Sequence, residues 1–181
     1  MPHASHCRLF PWKGQARYDE AMTTKILPRE ELLSKLSNER AKGKRIVFTN
    51  GCFDLMHIGH TRYLQAAKAM GDVLVVGVNS DASVRTLDKA PDRPIVPEAQ
   101  RAEVLAALGC VDYVVIFDES DPLQLITAVQ PDVLVKGGDW TIDRIVGRDI
   151  VEARGGVVKT IPLVPGMSTT GLLQRIRSTA K

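Results

Sequence analysis

Five short apolar runs, over residues 46–49, 73–78, 113–117, 133–135 and 157–161, recur along this chain with helix-like segments between them. Strands apolar at consecutive positions must be covered on both faces, so the runs predict a parallel sheet rather than an alternating, half-wet one. The intervening segments predict helices over 60–70, 97–108, 122–129 and 145–153, with a last one over 170–178. An initial helix opens at Leu27-Pro28-Arg29-Glu30-Glu31, with acidic residues in its first turn, and ends at Gly43. Pro97 and Pro122 suit a first helical position, where no N–H is needed, and Asp121 suits the cap before Pro122. Gly71 and Gly109 are expected as left-handed C-caps. The alternation predicts an α/β fold: a single Rossmann-like, doubly wound, five-stranded parallel sheet with helices on both faces.

A chain of 181 residues fits one domain. Residues 1–22 show no periodicity and read as a disordered N-terminal extension, with 23–181 as the folded domain. The net charge of +3 comes without any run of five or six basic residues, which argues against a nucleic-acid partner. Cys7, Cys52 and Cys110 have neither disulfide-framework nor metal-site spacing, which favours a reducing compartment. No apolar stretch reaches the roughly 20 residues that span a bilayer, and the N-terminus lacks a signal-peptide core. A cytoplasmic protein without membrane contact is the expectation.

Ligands of such sheets bind beyond the carboxyl ends of the strands, and the chemistry-bearing residues collect there. Asn50-Gly51-Cys52-Phe53-Asp54 follows the first run, and His57-Ile58-Gly59-His60 enters the next helix. Two imidazoles three residues apart share one helix face, at an end whose free N–H groups attract anions. That combination predicts phosphate handling. The second run is followed by Asn79, Ser80, Asp81 and Arg85, the fourth by Lys136-Gly137-Gly138-Asp139-Trp140, and the last by Met167-Ser168-Thr169-Thr170. Each has a plainer reading. Asp54 and the Ser168–Thr170 hydroxyls can cap helices, Lys136 can be a solvated strand exit, and Cys52 and Trp140 can be packing positions. Their convergence on one rim is what argues for a site.

The Gly51-Cys52-Phe53-Asp54 and His57-Ile58-Gly59-His60 elements, with Met167-Ser168-Thr169-Thr170, resemble those of the cytidylyltransferase-like nucleotidyltransferases. The resemblance covers residues 27–180. Within that family, Asn79-Ser80-Asp81 and the stretch from Val135 to Trp140 are most similar to the heptose 1-phosphate adenylyltransferases. That activity occurs as a separate enzyme or as the C-terminal half of a bifunctional protein with a sugar kinase, and the chain length implies the stand-alone form. The resemblance implies a homodimer that transfers AMP from ATP to D-glycero-D-manno-heptose 1-phosphate. The products would be ADP-heptose, for lipopolysaccharide core or surface glycan synthesis, and pyrophosphate. A cytidylyltransferase acting on an acceptor such as glycerol 3-phosphate is the alternative.

The implied catalytic residues are His57, His60 and Lys136. Implied nucleotide contacts are Asn50, Gly51, Cys52, Phe53, Gly59, Gly138, Ser168, Thr169 and Thr170, together with Asp139 on a metal or on nucleotide hydroxyls. Asp54, Asn79, Asp81, Arg85, Arg101 and Trp140 would face the sugar phosphate, with an ion pair to Glu98 or Glu103 as the alternative for Arg101. Mg2+ is expected on the phosphates rather than in a dedicated protein site. Two departures stand out. Val164-Pro165-Gly166-Met167 supplies no arginine ahead of Ser168, unlike the glycerol-phosphate enzymes. The polar stretch 87–94 reads as a mobile loop over the acceptor, with Lys89 and Arg93 as phosphate contacts. Class I aminoacyl-tRNA synthetases share a His-Ile-Gly-His element, but this chain is too short for one and has no Lys-Met-Ser-Lys-Ser stretch.

Overall fold

Each apolar run pairs with its neighbours into one all-parallel sheet. The structure is a computed structural model that describes residues 24–87, 92–138 and 140–179. Its strands are β1 (Ile46–Gly51), β2 (Val73–Asn79), β3 (Tyr113–Phe117), β4 (Val133–Gly137) and β5 (Val157–Ile161), in the order β3-β2-β1-β4-β5. The helices are α1 (Arg29–Ala41), α2 (Ile58–Lys68), α3 (Asp81–Thr86), α4 (Glu98–Ala106), α5 (Leu123–Val129), α6 (Arg148–Ala153) and α7 (Thr169–Thr179).

The period of two sorts side chains between two cores, one on each face of the sheet. Ile46 and Phe48 of β1, Val75 of β2 and Leu134 of β4 pack with Leu32 and Leu36 of α1 and with Leu125, Ile126 and Val129 of α5. Val47, Leu74, Val76 and Val135 point the other way, onto Tyr63, Leu64 and Ala67 of α2 and Ala102, Leu105 and Ala106 of α4. This double burial is why the strands are apolar throughout, and the expected fold class holds.

The order in which strands are added reverses at β1. The path runs outward through β2 and β3, then returns to the other side for β4 and β5. In doubly wound sheets the ligand crevice opens at that switch point, beyond the carboxyl ends of the two central strands. Here those ends are Gly51 and Gly137. β1, β2 and β4 also run one or two residues further than the apolar pattern alone predicts. Asn50, Asn79 and Lys136 therefore sit in ladder register, opposite Gly77, Phe117 and Thr160.

Several local features differ from expectation. α3 was not foreseen. Ser80 caps it by accepting from the Ser83 N–H at 3.1 Å, so a short helix replaces an open rim segment. A 3-10 turn over Ile142–Arg144 precedes the stretch expected as the 145–153 helix, and α6 starts only after Gly147, at φ +85°. Gly71 and Gly109, expected as left-handed C-caps, are not left-handed, whereas Gly43 beyond α1 is, at φ +75°. Gly71 is instead required by a close approach. A Cβ there would lie 2.7 Å from Val47 Cγ2 and 2.8 Å from the Arg45 carbonyl oxygen, which as backbone cannot swing aside. Gly71→Ala is expected to destabilise the protein by about 1–3 kcal/mol, read as a lower Tm. Pro97 and Pro122 stand as N-caps, one place before the first helical position expected of them, and Asp121, one place further out, accepts from the Leu123 N–H at 2.8 Å. The N-terminal extension, Lys89 and Asp139 lie outside the described residues. No described helix is long and apolar enough to cross a membrane.

Candidate active site

The crevice at the switch point is two cavities with a common edge. The first, of about 430 Å³, is bounded by the turn from Asn50 to Asp54, the two histidines and the Ser168–Thr170 entry to α7. The second, of about 410 Å³, is bounded by Asn79, Ser120, Asp121, Lys136, Trp140 and Arg144. Asn50, Gly51, Cys52 and Gly137 line both.

His57 is the N-cap of α2. Its Nδ1 accepts from the Gly59 N–H at 3.1 Å, while its own backbone N–H donates to His60 Nδ1 at 3.3 Å, a reciprocal capping box made by two imidazoles. The rings stand 4.0 Å apart, and Phe53 meets His60 edge-on at 5.6 Å. Gly59 is needed for this arrangement, because a Cβ there would lie 2.8 Å from the His57 ring. With both Nδ1 atoms accepting backbone protons, each neutral ring carries its proton on Nε2. The pair is therefore a pair of donors.

Burial lowers the His57 pKa, and burial followed by repulsion from His57 pushes His60 down to about 4. Both rings are then neutral at pH 7. In the unfolded chain His60 would titrate near the ordinary 6.5. As pH falls from about 6.5 to about 4, the unfolded state takes up a proton that the folded state refuses. Stability is thus expected to decline across that window and the His60 contribution to level off below it. Replacing His60 by Asn should flatten this part of the Tm-against-pH curve relative to wild type.

On the β4 side, Lys136 Nζ donates to Asn50 Oδ1, joining the two central strand ends. Gly138 is left-handed at φ +104° and turns the chain out of β4. Trp140 is 56% exposed and forms an open wall of the second cavity. Asn79 is buried there and donates from Nδ2 to Ser83 Oγ at 3.0 Å. Ser168 Oγ accepts from the Gly171 N–H at 3.0 Å, capping α7, and Thr169 and Thr170 complete the wall of the first cavity.

Four of the expected contacts are placed differently. Arg101 is fully buried and reaches no cavity: Nε donates to the Val96 carbonyl at 2.8 Å, and the terminal nitrogens bond the Cys52 carbonyl at 2.6 Å and Asp81 Oδ1 at 2.7 Å. The Arg101 charge is taken by Asp81, and Glu98 accepts from the Asp81 N–H. Asp81 thus ties α3 to α4 rather than facing the rim. Arg85 projects from α3 as an exposed side chain and lines neither cavity. Asp54 does line the first cavity, but its carboxylate accepts from Arg93 Nε and from the Ile95 and Val96 N–H groups. It anchors the 93–96 segment rather than presenting a free carboxylate to a sugar. Sequence reasoning missed Ser120, Asp121 and Arg144 as cavity walls. In the sequence Asp121 signals only a cap, and Arg144 sits on an irregular turn without periodic signal.

The Cytidylyltransferase-like family matches residues 48–180 of this chain. The bifunctional protein HldE of Syntrophotalea carbinolica is 57% identical over 153 residues, covering 84% of this chain and 31% of that protein. That of Methylobacillus flagellatus is 48% identical over 164 residues, covering 91% and 33%. The chain spans about a third of the length of these curated relatives. Among solved structures, the lipopolysaccharide core biosynthesis protein of Thermoplasma volcanium is similar at a TM-score of 0.56 and 31% identity, covering 67% of this chain and 98% of that one. Pantoate-beta-alanine ligase of Francisella tularensis, in complex with beta-gamma ATP and beta-alanine, shares the fold at a TM-score of 0.51 and 16% identity, covering 77% and 67%. Since the family match takes in well over half of the sequence, including every element of the switch-point crevice from β1 to α7, the chain belongs to the cytidylyltransferase-like family of nucleotidyltransferases.

Proposed function

We propose that this chain transfers AMP from ATP to D-glycero-D-manno-heptose 1-phosphate, giving ADP-heptose and pyrophosphate. The observation that carries the reading is the pair of cavities meeting at Asn50, Gly51, Cys52 and Gly137. One side offers imidazole, hydroxyl and helix-start N–H donors, suited to a triphosphate. The other offers Lys136 and Arg144 beside Asn79, Ser120 and Asp121, suited to a phosphate on a polyhydroxyl body. The names of the HldE relatives and of the lipopolysaccharide core protein favour the heptose over other acceptors.

In this reading the acceptor's phosphate oxygen attacks the α-phosphorus at the common edge. The new P–O bond forms in line with the breaking α–β bond, and the electron pair leaves on pyrophosphate. The attacking phosphate is already anionic at neutral pH, so no general base is required. Catalysis is positioning and charge stabilisation. His57 and His60 donate from Nε2 to the oxygens on which charge grows, and Ser168, Thr169 and Thr170 hold the distal phosphates. Lys136, bonded to Asn50 at the common edge, neutralises the acceptor phosphate from the second cavity. Gly51 and Gly138 let backbone approach the nucleotide, Asn79 and Trp140 bound the sugar, and a homodimer is the expected assembly. Among the described residues no group of three or more His, Cys, Asp or Glu side chains comes together to hold a metal. Mg2+ is expected on the phosphates, where it would supply further charge neutralisation.

The test is pyrophosphate release by the purified chain with ATP or CTP against heptose 1-phosphate or glycerol 3-phosphate. ATP with heptose 1-phosphate should exceed every other combination. Equal or faster turnover of CTP with glycerol 3-phosphate would overturn the assignment.

A further inference from the structure

The first cavity is short of positive charge for its proposed occupant. The segment entering α7 brings none, because Val164-Pro165-Gly166-Met167 contains no basic residue. His57 and His60 are neutral at pH 7, and Lys136 lines the second cavity rather than the first. Among the described residues that line the first cavity, Arg93 is the one permanent cation and Asp54 the one carboxylate.

The two form a pair at the wall. Arg93 Nε meets Asp54 Oδ2 at 2.5 Å, with side-chain exposures of 8% and 0%. Asp54 is held in turn by the Ile95 N–H at 2.8 Å and the Val96 N–H at 2.8 Å, so the guanidinium is aimed by a carboxylate that cannot move. Only Nε is used in this anchor. The terminal nitrogens of Arg93 make no other hydrogen bond among the described residues, yet they are not among the sealed, unsatisfied buried atoms. Arg93 lines the cavity, so these remaining donors are the part of the side chain left for a ligand there. Arg93 is absent from the edge common to both cavities, where the α-phosphorus must meet the acceptor. Its reach therefore falls on the part of the triphosphate distal to that edge.

We propose that Arg93 binds the β- and γ-phosphates of the nucleotide, supplying from the 93–96 segment the cation that the entry to α7 lacks. This rests on the reading that the first cavity takes ATP. A planar guanidinium with one edge fixed presents its remaining donors as a fork matched to phosphate oxygens. Because the anchor is built before the ligand arrives, little ordering is left to be done on binding.

The proposal is tested by calorimetric titration of ATP and AMP, without acceptor, into wild type, Arg93→Lys, Arg93→Gln and the double variant Asp54→Asn/Arg93→Gln. The double variant matters because Arg93→Gln alone leaves a buried carboxylate without its partner, whereas the pair of changes removes both charges. Both Gln variants are expected to bind ATP about tenfold or more weakly, with AMP affinity unchanged. Arg93→Lys should recover part of the loss, since it keeps the charge without the fork. If ATP and AMP affinities fall together, or neither falls, Arg93 only holds the loop and the proposal is overturned. If wild type binds ATP no more tightly than AMP and His57→Ala has no effect on either, the nucleotide does not occupy this cavity, and the underlying reading falls as well.

Discussion

Replacing both His57 and His60 by alanine is expected to lower kcat by about 10³-fold or more while leaving the sheet intact. The two rings accept backbone protons at Nδ1 and so direct Nε2–H as donors. Preorganised donors of this kind act where charge develops in the transition state, in a site where water competes poorly. Losing the pair also removes the α2 cap, which costs about 1 kcal/mol out of a total stability of about 5–15 kcal/mol. The catalytic and structural contributions separate in His57→Asn. Asparagine is a strong N-cap, so this variant should keep a Tm near wild type while turnover still falls. Steady-state pyrophosphate release with circular dichroism on the same samples checks both. Turnover at the wild-type rate in the alanine double variant would remove the histidines from the mechanism.

The largest loss of stability is expected from Arg101→Met, at about 3–5 kcal/mol. Arg101 is 1% exposed and joins three separate pieces of chain: the Cys52 carbonyl in the phosphate turn, the Val96 carbonyl before α4, and Asp81 at the start of α3. Methionine fills much of the volume but removes the guanidinium bonds to the Cys52 and Val96 carbonyls and to Asp81. Urea denaturation should show a markedly lower midpoint with an unchanged slope. Arg101→Lys should fall between the two proteins, because a single ammonium cannot serve three acceptors in a plane. An unaltered midpoint in Arg101→Met would contradict the role assigned to this side chain.

Fold class was legible because a strand buried on both faces leaves a mark that needs no partner to interpret. Ile46, Val47 and Phe48 are apolar together, and in the structure they divide between two cores. The rim was legible for a related reason: the strand ends locate it, and residues just beyond them were candidates by position. α3 was not legible, because six residues are too few for a helical period. Its only signals are the Ser80 cap and the acid behind it, residue types that suit a ligand rim equally well.

The same confusion touched Asp54, Asp81 and Arg101. A sequence displays charges but not their partners, and these pairs join residues 39 and 20 positions apart. Arg101 did carry a warning. It stands one helical turn ahead of Leu105, on the face that Ala102 and Leu105 bury. A cation on an apolar face needs an internal acceptor, and that reading would have turned it inward. Arg93 is the converse case, a residue set in an irregular segment whose place on the cavity wall depends on its anchor to Asp54.

Following the label from [α-32P]ATP and [γ-32P]ATP through a single reaction with heptose 1-phosphate tests the central claim most directly. Nucleotidyl transfer predicts that the α label appears in the sugar nucleotide and the γ label in pyrophosphate. Label from the γ position on the sugar, with the α label retained in free ADP, would show phosphoryl transfer instead and contradict the account.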